Sequence, residues 1–198
     1  MKEQWKEEDW NLEELIKKIQ VGDDLAFKKL TQNVENDLYR IARTRLIDDD
    51  DIKDAIQNTM LITYKNSKKI KNYEAFKTWM FRVLINECNK IYNKNKKNKV
   101  ICEKILKGSV YEQYRDPIED VHNKMNFDIL ISKLSYEERI VLTLYYNSCL
   151  SYSQISKILK ANENTIKSRI TRAVQKLKKL YKEVETHGKI EWIWRKNL

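Results

Sequence analysis

The chain has 198 residues, which is room for one domain or two small ones, and its formal net charge is +10. Only 3 Gly and 1 Pro are present, which argues against β-meanders and Gly-rich phosphate loops and favours a helical chain. Although 41% of the residues are hydrophobic, no run approaches the ~20 apolar residues of a membrane span. The N-terminus lacks the apolar core of a signal peptide, so we expect a cytoplasmic protein.

Residue types that carry catalysis or bind metals are sparse and scattered. The three cysteines, Cys88, Cys102 and Cys149, are too far apart for a C-x-x-C metal site and odd in number for a disulfide framework. Cys88 and Cys149 fall in apolar patterns, so we expect both thiols to be buried. His122 and His187 stand alone. The sequence therefore predicts no catalytic site, no metal, no cofactor and no enzyme.

Charge is distributed unevenly along the chain. Residues 1–60 hold 10 Lys or Arg and 15 Asp or Glu, a balance of −5, and the remainder must then carry +15. An acidic front and a basic remainder suggest two kinds of partner, of which nucleic acid fits the basic part. A merely soluble basic linker is the alternative.

Helices are predicted in the first half of the chain by caps and apolar periodicity. Asn11 begins one that ends near Gly22, and Asp23 or Asp24 begins the next. Four acids at 48–51 suit the N-terminus of a third helix, whose apolar side packs inward. Its outer face is predicted to bind a protein or to be merely solvated. This face carries Asp54, Gln57, Asn58 and Leu61.

A basic turn at residues 68–71 leads into a long, mostly apolar helix that should be the buried spine of a first domain. One strip of this helix is polar, and it suits contact with unstacked bases or is simply an exposed edge. The strip consists of Thr78, Arg82, Asn86, Asn89 and Asn93.

Beyond Lys94 the pattern becomes Lys- and Asn-rich and contains Gly108 and Pro117, as a linker would. We predict an all-α protein with two small helical domains joined by a flexible basic linker, the second being a four-helix unit with a helix-turn-helix. The predicted segments are a first domain at 1–95, a linker at 96–117, a second domain at 118–182 and a tail at 183–198. Trp192 and Trp194 lie in this tail, whose role the sequence does not indicate.

Two helices joined by a tight turn are predicted between Ser151 and Leu180. Ser151 with Gln154 forms a capping box, as Ser135 with Glu138 does earlier, and Asn162 caps the second helix of the pair. Nine Lys or Arg residues lie between positions 157 and 182. The second helix has one apolar face and one basic, hydrogen-bonding face, which suits the DNA major groove. A solvated amphipathic helix pair is the alternative. The hydrogen-bonding face includes Thr165, Lys167, Ser168, Thr171 and Arg172.

Taken in order, these pieces resemble the extracytoplasmic-function group of bacterial sigma factors over roughly residues 11–180. DIKDAIQNTMLITYKN resembles the helix that docks on the β′ coiled coil of core RNA polymerase. KIKNYEAFKTWMFRVLINECNKI resembles the segment that melts the promoter and binds the −10 element. LSYEERIVLTLYYNSCLSYSQISKILKANENTIKSRITRAVQKLK resembles the −35-binding domain. A stand-alone helix-turn-helix regulator and a sigma mimic that sequesters a partner are the rival interpretations.

The resemblance implies a role for each matching position. Core polymerase would be bound by Asp54, Gln57, Asn58 and Leu61. The −10 element would be bordered by Lys69, Ile70 and Lys71, and a flipped base would be held by Val83, Asn86 and Asn89, with Trp79 either stacking there or packing in the core. The −35 element would be bound by Thr165, Lys167, Ser168, Thr171 and Arg172.

The resemblance also implies partners: the β′ coiled coil and β flap of core polymerase, promoter DNA, and an anti-sigma factor, which is often membrane-anchored. Three positions depart from the residues that are common in the family. Asn89 replaces a basic residue, and Lys167 and Thr171 stand where Arg or an aromatic residue is frequent. A lysine cannot form the forked contact of an arginine with guanine, so the preferred −35 sequence does not follow from the resemblance.

Overall fold

The computed structural model describes residues 11–105 and 127–185, and every regular element within these ranges is helical. This confirms the predicted all-α class. None of the helices in these ranges is both long and apolar enough to cross a lipid bilayer. The eight α-helices are α1 (Leu12–Gln20), α2 (Asp24–Arg43), α3 (Asp49–Asn66), α4 (Tyr73–Ile105), α5 (Phe127–Ser132), α6 (Tyr136–Leu142), α7 (Tyr152–Leu159) and α8 (Glu163–Glu185).

The first domain is built from α1 to α4, and its helices start where polar caps allow. Side-chain oxygens of Asn11, Asp23 and Asp48 accept hydrogen bonds from free backbone N–H groups at the starts of α1, α2 and α3. Gly22 adopts a φ of +94° between α1 and α2, a conformation that favours glycine. The predicted start and stop signals of these helices are therefore confirmed.

Helix α4 is the spine of this domain, as the apolar pattern predicts. It contacts α1, α2 and α3, and the side chains of Phe81 and Leu84 are completely buried at its centre. Helices α1, α2 and α3 each contribute a similarly buried side chain to this core: Ile16, Leu30 and Ile52. Burying an aromatic or aliphatic side chain of this kind contributes about 1.5–3 kcal/mol, so α4 organises much of the domain's stability.

The helix extends beyond the predicted start of the linker at residue 96. It has 33 residues and spans about 50 Å. Lys and Asn residues are tolerated in a helix, and the first residue that interrupts helices strongly is Gly108. The rest of the predicted linker, including Pro117, and the first residues of the predicted second domain lie outside the described residues, as do Trp192 and Trp194.

The second domain contains α5 to α8, the predicted four-helix unit. Both predicted capping boxes are formed, Ser135 with Glu138 at α6 and Ser151 with Gln154 at α7. Helix α6 continues into a π-helical segment, Thr143–Asn147. A left-handed residue, Lys160 with a φ of 52°, ends α7 and makes the sharp turn into α8. The predicted helix-turn-helix therefore forms.

The two described thiols differ in exposure. Cys88 is buried on α4, and this burial raises the pKa of its thiol to about 12. Cys149 is exposed, so the expectation that it is buried is wrong. Its φ of 52° places it in the reversal before α7, where the following residue, Leu150, enters the core instead.

Candidate nucleic-acid interface

The outer face of α3 presents the four residues predicted to bind a protein, and all four are exposed. Leu61 is 51% exposed and has polar residues around it on the same helix face. The opposite face of α3 is buried and includes Thr59, whose hydroxyl donates to the carbonyl of Ala55 at 2.7 Å. Because the inner face is satisfied within the domain, the outer face is free for a partner.

Tyr64 extends this outer face by about one helical turn beyond Leu61 and is not among the residues predicted from the sequence. It is 41% exposed, and its ring packs edge-to-face on Phe27 with a centroid distance of 4.9 Å. The signal that could have found it is the spacing of three residues from Leu61.

The basic turn after α3 is held in place by one side chain. Gln20 donates from Nε2 to the carbonyl oxygens of Ser67 and Ile70, at 3.0 and 2.9 Å. Ile70 is half-buried, whereas Lys69 and Lys71 on either side are exposed. The turn therefore presents two lysines from a fixed backbone.

The three residues of α4 that the resemblance assigns to a flipped base lie together in one depression beside α3. Val83 and Asn89 are half-buried there and Asn86 is exposed. The depression has a volume of about 460 Å³, and its other lining residues are Ile62, Glu87, Lys90 and Asn93. This size falls in the range of roughly 300–1,000 Å³ that is usual for small-molecule sites. Amide groups and an apolar wall can bind both the edge and the face of a nucleobase.

Trp79 lies one turn before Val83 on the same side of α4. It is half-buried, with its ring 6.0 Å from that of Phe76. Its position is compatible with both alternatives, core packing and stacking at the edge of the strip.

Helix α8 exposes the predicted DNA-binding face, while Ile166, Ile170, Ala173 and Leu177 on its other side are buried. Lys167, Ser168, Thr171 and Arg172 are exposed, and Thr165 is half-buried. Several of these side chains bond to the helix backbone: Thr171 Oγ1 donates to the carbonyl of Lys167 at 3.0 Å, and Arg172 Nε to that of Ser168 at 3.3 Å. These local bonds can be exchanged for bonds to DNA without disturbing the core.

Lys77 and Asp37 form a buried ion pair that the sequence did not indicate, because Lys77 sits within an apolar run. Lys77 Nζ lies 3.9 Å from Asp37 Oδ2. Burial lowers the pKa of Lys77 to about 8 and raises the pKa of Asp37 above its ordinary value. The pair joins α2 to α4.

Within residues 11–105 and 127–185, no cluster of His, Cys, Asp or Glu has the arrangement of a metal site. The surfaces described above are an exposed apolar and polar helix face, a basic turn, an amide-lined depression and a basic helix.

Comparison with known families matches two segments of the chain. Residues 30–98 match Sigma-70 region 2, and residues 124–177 match Sigma-70 region 4. The first segment contains α3, the basic turn and the amide-lined depression, and the second contains the helix-turn-helix.

Two relatives in sequence cover most of the chain. The ECF RNA polymerase sigma factor SigM of Bacillus subtilis (strain 168) is 29% identical over 158 residues, which are 79% of this chain and 96% of that protein. The ECF RNA polymerase sigma-E factor of Haemophilus influenzae is 25% identical over 170 residues, covering 80% and 89%.

Two solved structures share the fold. One is CnrH in complex with the cytosolic domain of CnrY, with a TM-score of 0.60 at 19% identity, covering 85% of this chain and 96% of that one. The other is the sigma factor RpoE in complex with the anti-sigma factor NepR from Bartonella quintana. Its TM-score is 0.61 at 22% identity, with coverage of 79% and 96%.

Proposed function

The chain belongs to the extracytoplasmic-function group of bacterial RNA polymerase sigma factors and directs transcription initiation as an alternative sigma factor, and we propose that three surfaces divide this work. The bond-making steps belong to core polymerase, and this chain supplies binding alone. It acts where the polymerase and the chromosome are, in the cytoplasm.

Core polymerase is bound by the outer face of α3. Asp54, Gln57 and Asn58 supply charge and hydrogen bonds to the β′ coiled coil, and Leu61 supplies the apolar contact. The support is their common exposure on one face of a helix whose opposite face is buried in the first domain. An exposed leucine surrounded by polar groups is typical of an interface core with a polar rim.

The −10 element is bound by the depression beside α4 and by the basic turn. The observation that carries this proposal is the convergence of Val83, Asn86 and Asn89 in one depression. A base that leaves the duplex costs a few kcal/mol to unstack, and amide groups can recover this by binding its Watson–Crick edge. Lys69 and Lys71 contact the phosphates of the same strand.

The −35 element is bound as a duplex by α8, whose exposed Lys167, Ser168 and Arg172 enter the major groove. The second domain also docks on the β flap of the polymerase. The RpoE structure described above contains the anti-sigma factor NepR, and the CnrH structure contains the cytosolic domain of CnrY. We propose that an anti-sigma factor binds this chain as well.

Transcription in vitro tests the proposal. We compare wild type with Asn86→Ala/Asn89→Ala, using core polymerase and duplex promoters that include the promoter of the chain's own gene. Loss of contacts to one unstacked base should reduce open-complex formation about tenfold to a hundredfold, because such contacts contribute ~1–3 kcal/mol. Binding of the variant to core polymerase should not change.

Asn98→Ala is the matched control, since Asn98 is exposed on the same helix outside the depression. If wild type initiates at no promoter, the chain's assignment as an initiation factor is wrong. If wild type initiates and the double variant is equally active, the −10 assignment alone is wrong. A stand-alone regulator would instead protect palindromic DNA without polymerase.

A further inference from the structure

The last third of α4 is strongly basic and exposed, and it lies beyond the surfaces assigned above. Residues 88–102 contain five Lys and no Asp or Glu. Residues 94–98 are all exposed, and the helix continues without interruption to Ile105. Asn95 ties this part of α4 to the start of α3, because its Nδ2 donates to Asp51 Oδ2 at 2.6 Å. The basic segment therefore extends from the first domain as an anchored helix.

Three of its lysines continue the line of the amide-lined depression. Lys90, Lys94 and Lys97 follow each other at i, i+4 and i+7, so they lie on one side of α4, and we call them the lysine stripe. Lys90 lines the depression together with Asn86, which places the other two lysines directly beyond it along the helix. Lys96 is also exposed, but it points about 100° or more away from each of the three.

The charge of the lysine stripe is concentrated at its outer end. Lys90 Nζ lies 2.6 Å from Glu87 Oε1, so a carboxylate offsets this cation. Lys94 and Lys97 form no ion pair with the residues that the structure describes. Like charges at this spacing repel each other on a helix, and an anionic partner would relieve the repulsion.

The lysine stripe has the length and spacing of a nucleic-acid backbone. From Lys90 to Lys97 the helix rises by about 10 Å, which corresponds to about three nucleotides of one strand at 3.4 Å each. Phosphate groups recur at regular intervals in every DNA sequence. Cations at this spacing can therefore bind DNA without contacting base edges.

The order of the surfaces along α4 indicates which part of the promoter would lie against the stripe. The basic turn precedes α4, the depression lies near its middle, and the stripe lies towards its C-terminus. Beyond α4 the chain continues to the second domain, whose helix α8 we assign to the −35 element. This order puts the stripe on the −35 side of the captured base, where the promoter is still duplex.

We propose that the lysine stripe binds the phosphate backbone of the duplex immediately upstream of the −10 element. This rests on the proposed function, because that function supplies the position of the captured base. The stripe contributes affinity that does not depend on the spacer sequence, and it holds the last base pairs of the duplex beside the depression. Lys94 and Lys97 make most of this contribution, because Glu87 offsets the charge of Lys90.

The test uses the full chain bound to core polymerase and two DNA probes. One probe is a fork, in which a duplex spacer leads into a single-stranded −10 element, and the other is the single-stranded −10 element alone. Lys94→Gln/Lys97→Gln removes two charges and preserves the helix, because Gln and Lys are similar helix formers. The slope of log affinity against log salt should fall by about 1–2 on the fork and stay unchanged on the single strand, as measured by fluorescence anisotropy.

Lys29→Gln/Lys96→Gln is the matched control. It removes one exposed cation from α2 and one from another side of the same segment of α4, so both slopes should stay at the wild-type value. A fork with a different spacer sequence of equal length should give the same loss for the stripe variant, because phosphate contacts carry no sequence information.

The outcomes separate this proposal from the proposed function. If wild type binds both probes and the stripe variant has the wild-type slope on the fork, the stripe does not bind DNA. An equal loss on both probes would place the stripe against the single strand and overturn the duplex assignment. If the wild-type complex binds neither probe, the proposed −10 function fails, and the free full chain is titrated against plain duplex DNA. There, a lower slope for the stripe variant than for the control supports the stripe by itself, whereas equal slopes overturn it.

Discussion

Lys77 is a cation held where little water reaches it, between a carboxylate of α2 and a carbonyl of the second domain. Its side chain is 25% exposed and that of Asp37 is 9% exposed. A buried pair of this kind adds little net stability, but either partner left alone is costly. We expect Asp37→Asn and Lys77→Met to destabilise the fold by about 1–3 kcal/mol each, and the double variant to cost less than their sum.

The pH dependence of the free energy of unfolding measures the contribution of Lys77 separately. Its pKa is lowered from 10.5 to about 8 in the folded chain, so the unfolded chain holds this proton more tightly. Below pH 8 the folded state bears the cost of the buried charge, and this cost disappears as pH rises towards 10.5. Relative to Asp37→Asn/Lys77→Met, wild type should therefore gain about 2–3 kcal/mol over this range. Denaturant titrations across pH measure it, and since Cys88 and Tyr136 titrate in both proteins, their contributions cancel. Parallel curves for the two proteins would contradict the lowered pKa.

At the scale of single helices, the sequence predicts the first residue of a helix more accurately than its last residue. The capping boxes at Ser135 and Ser151 form as expected because each depends on residues only three positions apart. Helix α4 ends at Ile105, beyond the predicted start of the linker at residue 96, because a run of Lys and Asn is compatible with both a linker and an exposed helix. The exposure of Cys149 depends on a left-handed turn that apolar periodicity does not encode.

Helix α8 should bind DNA with an affinity that depends on salt. Each phosphate contact releases counterions, so losing one cation lowers the slope of log affinity against log salt by about 0.9. Lys167→Gln/Arg172→Gln should therefore reduce the slope for a −35 duplex by about 1–2, measured by fluorescence anisotropy at several salt concentrations. Lys28→Gln/Lys133→Gln removes two exposed cations elsewhere and serves as control. Equal slopes for both double variants would show that α8 does not face the phosphates.

For the whole molecule, local patterns in the sequence could predict the two helical domains and the exposure of the candidate binding faces. They could not predict how the domains pack. The contact of Arg139 with Thr44 joins residues 95 positions apart, and that of Arg82 with Lys157 joins residues 75 apart. Neither contact follows from periodicity or capping, because both depend on how the two domains pack against each other. Local patterns could not predict the amide-lined depression either. Ile62 of α3 lines it together with residues of α4, and the contact between these two helices depends on tertiary packing.

The proposed polymerase-binding face lies on α3 and the proposed −35-binding face lies on α8. Because these helices belong to different domains, we predict that polymerase binding and −35 binding can be lost separately. Asp54→Arg/Gln57→Ala reverses one charge and removes one amide on the outer face of α3, leaving its buried face intact. Affinity for core polymerase should fall about thirtyfold or more, corresponding to ~2 kcal/mol at an interface hot spot. Affinity for a −35 duplex should stay at the wild-type value, because α8 lies in the other domain. Glu35→Arg/Asn36→Ala makes comparable changes at exposed positions of α2 and should preserve both activities. Unchanged affinity of the α3 variant for core polymerase would remove the assignment of this face, whereas parallel loss of both activities would indicate that the two domains do not act independently.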